Sequence, residues 1–560
     1  MQQDRKMLGE KLLEKGLISP EQLKIALEIQ RSTGELLGEV LVNAGFISQE
    51  QLNTALSEEI GATCLSCLED VVPDPSALRV LPRDVAQRYK AVPLLLEDNY
   101  LTVAMVNPYD VVTVDALRKA TGKLIKTVVA PEGEILKAID LWYLEEADRL
   151  EDVIRKATES VGRLGAEVVA EEAPLVKLVN LLLVEAVKER ATDVHIEPEA
   201  STTVVRYRVD GILRVKKLLP KALERPIISR IKVMSNLDIS ESRLPQDGKA
   251  DFRFGGRLLD LRVSVFPTSY GENVVIRILD RSRLITKIEA LGFSGQQLET
   301  FRRLIHRPQG MVLVTGPTGC GKTTTLYAAL SEINSTQINI MTIEDPIEYE
   351  IFFVRQSQVN PKIGLTFAKG LRTILRQDPD VILVGEIRDE ETVEVAIHAA
   401  LTGHLVLSTL HTNSAVQAIP RLRFMGAGPH VLASALAGVV AQRLVRLVCP
   451  ECRETYTPTD EELEIIQRGL GDKFPEGSTL VLARGKGCKR CGFTGYMGRT
   501  AVAEVFEVDR ELFDLIAGDV PTEQIERALA EWGYVTMFQD GLMKALEGIT
   551  TVEEVRRVAI

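Results

Sequence analysis

One stretch determines the fold of much of this 560-residue chain: Gly316-Pro317-Thr318-Gly319-Cys320-Gly321-Lys322-Thr323, which fits the P-loop pattern G-x-x-x-x-G-K-[ST]. An apolar, β-branched run at residues 311–315 precedes it and predicts a buried strand, and good helix formers follow at residues 324–332. A glycine-rich turn between a strand and a helix lets backbone N–H groups surround phosphate oxygens at the positive end of the helix dipole. We therefore expect Lys322 to contact the β- and γ-phosphates of ATP and the Thr323 hydroxyl to bind Mg²⁺. The predicted ATP-binding residues are Gly316, Thr318, Gly319, Cys320, Gly321, Lys322, Thr323 and Thr324.

Length and composition limit the classes of protein that this chain can be. Its length predicts about three or four domains, and its net charge of -12 argues against a generic nucleic-acid surface. No apolar run reaches the ~18 residues needed to span a bilayer, and the N-terminus has no apolar signal region. We therefore expect a cytoplasmic protein, in which seven cysteines indicate metal binding or chance rather than disulfides.

Two acidic segments follow the P-loop. Residues 342–348, TIEDPIE, come directly after a strand-like run, so Glu344 is expected at a strand end, where ligands bind in open α/β sheets. In residues 375–389, LRQDPDVILVGEIRD, four apolar strand formers precede Glu386, as in a Walker B strand. Glu386 is thus placed to orient water or to hold Mg²⁺, and both glutamates are candidates for the catalytic base.

A third segment, residues 404–411, reads HLVLSTLH and predicts a strand flanked by two histidines. An isolated histidine is usually structural. Two histidines at the ends of a strand beside a P-loop favour a γ-phosphate sensor, so His404 and His411 join the candidate catalytic residues.

Four cysteines form two C-x-x-C pairs separated by 35 residues. This spacing predicts a Cys₄ structural zinc site, and four thiolates leave no open coordination position for catalysis. The alternative is four thiols without metal. Cys64 and Cys67 form a single C-x-x-C pair with no second pair nearby, which favours packed cysteines over a metal site. The predicted zinc ligands are Cys449, Cys452, Cys488 and Cys491.

The first 60 residues contain an internal repeat with an offset of 29 residues. Residues 8–30, LGEKLLEKGLISPEQLKIALEIQ, match residues 37–59, LGEVLVNAGFISQEQLNTALSEE. Each copy predicts a helix, a glycine-containing turn and a second helix. Ser19 with Gln22 fits a capping box at the start of that second helix.

The P-loop and the three segments after it resemble the Walker A, Asp, Walker B and His boxes of the secretion ATPase superfamily, which includes type IV pilus assembly ATPases and type II secretion ATPases. DVHIEP at Asp193 and RLPQDGK at Arg243 resemble other recurring segments of that superfamily, although His195 alone fits a structural histidine. The resemblance implies an α/β multidomain fold with a RecA-like ATPase core and a Cys₄ zinc insertion. Residues 146–173 are charged and short of large apolar residues, which predicts a linker. Together with the resemblance, this predicts an MshEN-like helical repeat at 1–60, a small α/β domain at 61–145, the charged linker, an α+β, PAS-like middle domain at 174–284, and the ATPase domain at 285–560 with its zinc module at about 447–500.

The resemblance also implies a homohexamer in which the middle domain of one subunit covers the nucleotide of its neighbour. The segment GGRLLDLRVSVFPTSYGENVVIRIL, residues 255–279, matches the part that supplies arginine fingers, which gives Arg262 and Arg277 that role. Arg443, in AQRL, matches another arginine that faces the nucleotide. Without the resemblance, Arg262 and Arg277 would be interpreted as ordinary surface residues of strands.

The repeat resembles the MshEN domain, which binds cyclic di-GMP in some pilus and secretion ATPases. In this chain Met7 and Leu36 stand where that motif has arginine, while Arg5, Lys6 and Arg31 are close in sequence. Cyclic di-GMP binding is therefore a hypothesis here. Its candidate residues are Leu8, Gly9, Leu23, Leu27, Gln30, Leu37, Gly38, Leu52 and Leu56.

The main hypothesis is a hexameric motor ATPase, with Mg²⁺ and structural Zn²⁺, that assembles a type IV pilus. Its implied partners are an inner-membrane platform protein and a cytoplasmic scaffold, and it would meet the membrane only through them. The alternative is a type II secretion ATPase that drives a pseudopilus. A RecA-like nucleic-acid translocase is disfavoured by the acidic charge and the lack of aromatic and basic stripes. A cyclic di-GMP receptor with a weak motor is disfavoured by the intact catalytic set.

Overall fold

The computed structural model divides into two units, Met1–Ser282 and Arg283–Ile560. No helix in the described part of the chain is long and apolar enough to cross a membrane. The structure describes residues 9, 12–13, 16–33, 37–47, 68, 71, 73–97, 99–106, 110–147, 150–164, 173–254, 257–280, 287–475 and 480–559.

The N-terminal repeat forms a small helical cluster. The predicted capping box of its first copy is confirmed, because Ser19 N donates to Gln22 Oε1 at 2.8 Å and Gln22 N donates to Ser19 Oγ at 3.1 Å. The second helix of the second copy, and the Cys64–Cys67 pair, lie outside the described residues. The helices are α1 (Pro20–Thr33) and α2 (Leu37–Asn43), and the buried apolar residues are Leu12, Ile18, Ala26, Val40, Leu41 and Ile47.

A three-stranded sheet with four helices follows. Its first two strands form an antiparallel hairpin, and the second strand pairs in parallel with the third. Trp142 and Ile139, on the last helix, pack into the core that the sheet covers. The elements are α3 (Pro75–Val80), α4 (Arg83–Arg88), β1 (Ala91–Glu97), β2 (Tyr100–Met105), α5 (Val111–Thr121), β3 (Leu124–Val129) and α6 (Glu132–Ala147).

The structure corrects the prediction of a linker at 146–173, because much of this segment forms helix α7 (Leu150–Leu164). Val153 and Ala157 are buried on α7, and Leu150 and Val161 pack against the same core. These positions follow the i, i+3, i+7, i+11 spacing of an amphipathic helix. The many charged residues between them occupy the solvent side and concealed the apolar face in the sequence.

The middle domain is a six-stranded antiparallel sheet in the order β6-β5-β4-β9-β8-β7. One face packs on α7, on the apolar helix α8 and on α9, while the other face carries mainly polar residues. This division follows from the alternation of more buried and less buried residues along β5 and β7. The elements are α8 (Ala173–Lys188), β4 (Ala191–Pro198), β5 (Thr202–Val209), β6 (Ile212–Pro220), α9 (Glu224–Met234), β7 (Gln246–Phe254), β8 (Arg257–Thr268) and β9 (Gly271–Leu279).

The second unit is built on a seven-stranded sheet in the order β12-β11-β13-β14-β10-β15-β18. Six strands are parallel and the last is antiparallel. Every residue of β10, β13 and β14 is buried, as expected for central strands of a sheet covered on both faces. The elements are α10 (Gly295–Ile305), β10 (Gly310–Thr315), α11 (Lys322–Ile333), β11 (Ile340–Glu344), β12 (Val354–Gln358), α12 (Phe367–Ile374), β13 (Val381–Val384), α13 (Glu390–Leu401), β14 (Leu405–Leu410), α14 (Ala418–Phe424), α15 (Pro429–Ala435), β15 (Leu436–Val448) and β18 (Tyr496–Glu507).

The cysteine-bearing segment is inserted between β15 and β18, and four helices follow β18. Arg446 of β15 donates to Glu554 of the last helix at 2.6 Å, and the Arg446 guanidinium lies 4.1 Å from the centre of the Tyr496 ring. These contacts join the base of the insertion to the C-terminal helices. The elements are β16 (Arg453–Tyr456), α16 (Asp460–Leu470), β17 (Leu482–Gly485), α17 (Arg510–Ala517), α18 (Thr522–Glu531), α19 (Met537–Leu546) and α20 (Val552–Ala559).

Candidate nucleotide site and metal centre

The P-loop lies where the sequence predicts it, between the buried strand β10 and helix α11. Gly321 forms the N-cap of α11 at a φ of 91°, and Gly316 has a φ of 147°. A Cβ atom on Gly316 would lie 2.5 Å from Cys320 Sγ and 2.7 Å from Gln442 O. Any side chain at this position would therefore force the loop open.

Lys322 is the first residue of α11 and folds back over the loop. Its Nζ donates to Gly316 O at 2.8 Å and to Pro317 O at 3.1 Å. Burial lowers the pKa of Lys322, while the charge of Glu386 acts in the opposite direction. The ammonium group is thus held at the mouth of the loop, where phosphate oxygens bind in P-loop proteins.

Glu386 follows β13 at the carboxyl edge of the sheet and is mostly buried, with a side-chain exposure of 12%. It forms an ion pair with Arg388, and its Oε2 lies 3.8 Å from His411 Nε2. The charge of Glu386 acts on the pKa of both His411 and Lys322, so these three side chains lie near one another. This is the position that a water-orienting carboxylate requires.

Glu344, the rival candidate base, has both carboxylate oxygens engaged. Thr342 Oγ1 donates to Oε1 at 2.6 Å, and Gln356 Nε2 donates to the same oxygen at 3.1 Å. The Tyr327 hydroxyl donates to Oε2, and burial together with this carboxylate raises the pKa of Tyr327. Glu344 thus anchors α11 to β11.

The two predicted histidines lie at opposite ends of strand β14. His411 follows β14 at the P-loop edge, where burial lowers its pKa, whereas His404 precedes β14. A six-residue strand is roughly 20 Å long. His404 Nδ1 instead lies 2.9 Å from Ala399 O. The assignment of His404 as a phosphate sensor was therefore wrong, and that role stays a prediction for His411.

Arg443, on β15, lies beside the P-loop. Its Nη2 donates to Asn413 O and to Asn413 Oδ1, both at 3.2 Å, and its Nη1 donates to Gln442 O at 3.1 Å. Burial lowers its pKa, although it stays a cation at any physiological pH. The contact with Asn413 joins Arg443 to the loop that follows His411.

Gln442 is a site residue that the sequence reasoning missed. It is 1% exposed, and its Nε2 donates to Cys320 O at 2.8 Å while its Oε1 accepts from Thr325 Oγ1 at 2.8 Å. One amide on the neighbouring strand thus holds the P-loop and the first turn of α11 together. A polar residue within the apolar run at 436–445 was the available signal.

The four predicted zinc ligands come together. Their sulfur atoms all lie within 4.8 Å of one another, and the Cys449–Cys488 and Cys452–Cys491 pairs are each 3.9 Å apart. Zn–S bonds of about 2.3 Å in a tetrahedron place sulfurs about 3.8 Å apart. The backbone N–H groups of Gly487 and Gly495 donate to Cys452 Sγ and Cys491 Sγ, which stabilises thiolates. The cluster therefore fits a closed Zn²⁺ site.

The two predicted arginine fingers belong to the first unit and lie on the polar face of its six-stranded sheet. Arg262 on β8 is directly opposite Arg277 on β9, and Lys249 on β7 is directly opposite Arg262. These side chains line a cavity of about 430 Å³. Like charges placed directly opposite destabilise a sheet, so this row is suited to an anion.

The candidate cyclic di-GMP residues are only partly described. A Cβ on Gly9 would lie 2.6 Å from a Leu23 methyl and 3.4 Å from a Leu37 methyl, so the two copies of the repeat pack together there. Gly38 is buried, Gln30 is half-buried, and Leu27 is 36% exposed. The rest of the predicted set, and the two positions that replace arginine, lie outside the described residues: Leu8, Leu52, Leu56, Met7 and Leu36.

Comparison with known proteins gives two family matches. The model of the type II/IV secretion system protein family matches residues 168–557, and the MshEN domain model matches residues 67–149. The second match falls on the small α/β domain, whereas the predicted MshEN-like segment, residues 1–60, precedes it.

Individual relatives cover most of the chain. The type IV pilus assembly ATPase PilB of Myxococcus xanthus is 42% identical over 559 residues, which is 98% of both chains. The type II secretion system protein E of Dickeya dadantii is 46% identical over 501 residues, covering 86% of this chain and 98% of that one. The ATPase DotB of Yersinia pseudotuberculosis aligns with a TM-score of 0.51 and 20% identity, over 68% of this chain and 93% of that one, which shows a shared fold.

Proposed function

Because this chain belongs to the type II/IV secretion system protein family and is an ATPase, we propose that it is the motor that adds pilin subunits to a type IV pilus. The relative named as a pilus assembly ATPase aligns over 98% of both chains, so the likeness includes the N-terminal region. That full-length alignment is the observation that carries the proposal. The second candidate is a type II secretion ATPase, supported by relatives up to 50% identical over 391 residues.

The geometry of the described site supports a separate role for each of its side chains in ATP hydrolysis. Lys322 binds the β- and γ-phosphates, and Thr323 would hold Mg²⁺, which would neutralise charge on the transferred phosphoryl group. Glu386 orients the attacking water and accepts its proton, while His411, 3.8 Å away, reports the γ-phosphate. Arg443 stabilises the P-loop edge. The Cys₄ cluster would hold a structural zinc that stabilises the fold of the insertion and takes no part in the reaction.

We place the enzyme in a homohexamer at the cytoplasmic face of the inner membrane, where it acts on a platform protein through a cytoplasmic scaffold. In this ring Arg262 and Arg277 of one subunit stabilise the charge on the nucleotide of the next. Their position on one exposed sheet face, directly opposite each other, suits a shared phosphate. Hydrolysis should therefore require assembly.

Deleting the gene from its host and restoring it tests the choice between the two candidates. We expect the deletion to abolish surface pili while secreted protein levels stay unchanged, and the wild-type gene to restore pili. Restoration with Lys322→Ala should fail, because the phosphate contact is lost. Normal pili together with a loss of protein secretion would instead establish the type II secretion function.

Cyclic di-GMP binding is a further part of the proposal, since the MshEN model matches residues 67–149. Titration of the full-length protein with fluorescent cyclic di-GMP should give saturable binding that unlabelled cyclic di-GMP displaces and GTP does not. A signal that GTP displaces equally would contradict a specific site. The absence of saturation would contradict binding at all.

A further inference from the structure

One buried acid lies within the cationic row on the middle-domain sheet, between Arg277 on β9 and Arg208 on β5. Asp193 on β4 is directly opposite Arg277 on β9, which in turn is opposite Arg262 on β8. Lys249 on β7 completes the row. Residues directly opposite in antiparallel strands have Cβ atoms about 4.5–5.5 Å apart. The register therefore places three cations side by side, with the carboxylate next to Arg277 and Arg208 on its other side.

Asp193 is held rigidly. It is 5% exposed, its Oδ2 accepts from Thr192 Oγ1 at 2.8 Å, and Arg208 Nε lies 3.6 Å from the same oxygen. Its other oxygen, Oδ1, accepts from Arg277 Nε at 3.1 Å. A carboxylate fixed on both oxygens gives Arg277 one preferred orientation.

The choice of nitrogen on Arg277 matters for its chemistry. Asp193 engages Nε, so this bond leaves free the end of the guanidinium where the two terminal nitrogens form a fork that can bind phosphate bidentately. The Arg277 side chain is 59% exposed, so the fork is accessible to a ligand. The buried acid thus orients the arginine without occupying its phosphate-binding edge.

We propose that Asp193, in the DVHIEP segment, is a positioning residue for ATP hydrolysis that acts through Arg277. This inference rests on the proposed action of Arg277 on a neighbouring nucleotide. Asp193 does not touch the nucleotide. It fixes the guanidinium in the geometry in which both terminal nitrogens meet the transferring phosphoryl group.

The test compares ATP turnover by hexamers of Asp193→Asn, Arg277→Ala and the double variant, with assembly checked by mass measurement. Asp193→Asn should lower kcat by about 10²-fold, the usual cost of a small misplacement, and change the KM for ATP less than about threefold. The double variant should be no slower than Arg277→Ala, because Asp193 acts only through that arginine. The control Asp251→Asn, exposed on the same sheet face, should retain wild-type turnover.

Arg277→Lys keeps the test decisive if Asp193→Asn does not assemble. A lysine ammonium bound to Asp193 offers no fork, so this variant should be as slow as Asp193→Asn. Asp193→Asn subunits mixed with Lys322→Ala subunits should regain activity, and Arg277→Ala subunits mixed in the same way should also do so, because in each mixture the two defects lie in different sites.

Three results would overturn the inference: wild-type turnover by Asp193→Asn, wild-type turnover by Arg277→Lys, or a double variant slower by the product of the two single losses. If the proposed action of Arg277 on a neighbouring nucleotide is itself wrong, Arg277→Ala alone should keep wild-type turnover. This result distinguishes a failure of the proposed function from a failure of the inference about Asp193.

Discussion

The amide of Gln442 provides a quantitative test of how the P-loop is held. In Gln442→Leu the volume is nearly kept, but Cys320 O and Thr325 Oγ1 each lose a hydrogen-bond partner of 2.8 Å. Thr325 is 1% exposed, so water cannot replace that partner. A buried polar group left unpaired costs about 1–3 kcal/mol, which gives a loss of about 2–6 kcal/mol for the pair.

This loss should be visible in both stability and binding. Since 1 kcal/mol shifts the melting temperature of a domain of this size by about 2 °C, the ATPase unit should melt at least about 4 °C lower. The KM for ATP should rise about tenfold, because a P-loop released from β15 must be reordered by the nucleotide. Differential scanning calorimetry and steady-state ATPase assays measure the two effects.

Two further variants separate the amide from a general surface effect. Thr325→Val removes one of the two bonds, so the double variant Gln442→Leu/Thr325→Val should lose less stability than the sum of the single losses. Gln467→Leu, exposed on α16, should leave melting and KM unchanged. A Gln442→Leu protein that melts within about 1 °C of wild type would refute the reasoning.

The remaining predictions concern the zinc site and the C-terminal helices. Cys449→Ser or Cys488→Ser should release about one zinc per subunit and destabilise the second unit, because metal affinity here contributes to folding. Elemental analysis measures the zinc content, and Cys64→Ser is the control. Native protein that contains no zinc and has four freely titratable thiols would contradict the site. Burial alone would raise the pKa of Glu554, but hydrogen bonds from Arg557 and Arg446 outweigh it and hold the pKa below the ordinary 4.5. A lowered folded-state pKa gives stability that is present above about pH 4.5 and lost as the pH falls through the folded value. Wild type should therefore lose its melting-temperature advantage over Glu554→Gln below that pH, and a constant difference down to pH 3 would contradict this.

The parts of the site that the sequence predicted correctly depend on local patterns. The P-loop needs glycines at fixed spacing between an apolar strand and a helix, and the cysteine pairs need only their own loops. Such features are determined by a few consecutive residues. The role of His404 as a phosphate sensor was predicted wrongly, although a strand of six residues already separates its two ends by roughly 20 Å.

Other parts depend on contacts between distant residues. The Gln442–Thr325 bond joins positions 117 residues apart, and the Asp193–Arg277 bond joins positions 84 residues apart. Neither pairing has a local signal, because each depends on which strands become neighbours in the sheet. The helix at Leu150–Leu164 was missed for another reason, since charged residues on its solvent side outnumber the few apolar residues that pack.

The most direct test of the account is ATP binding and turnover by Glu386→Gln, measured on the same assembled protein. The account predicts a Kd for ATP within about threefold of wild type and a kcat lower by about 10²–10⁴-fold, because an amide cannot accept the proton of the attacking water. Glu394→Gln, exposed on α13, should keep wild-type turnover. Wild-type turnover by Glu386→Gln, with its loss in a folded Glu344→Gln protein, would contradict the assignment and move the base to Glu344.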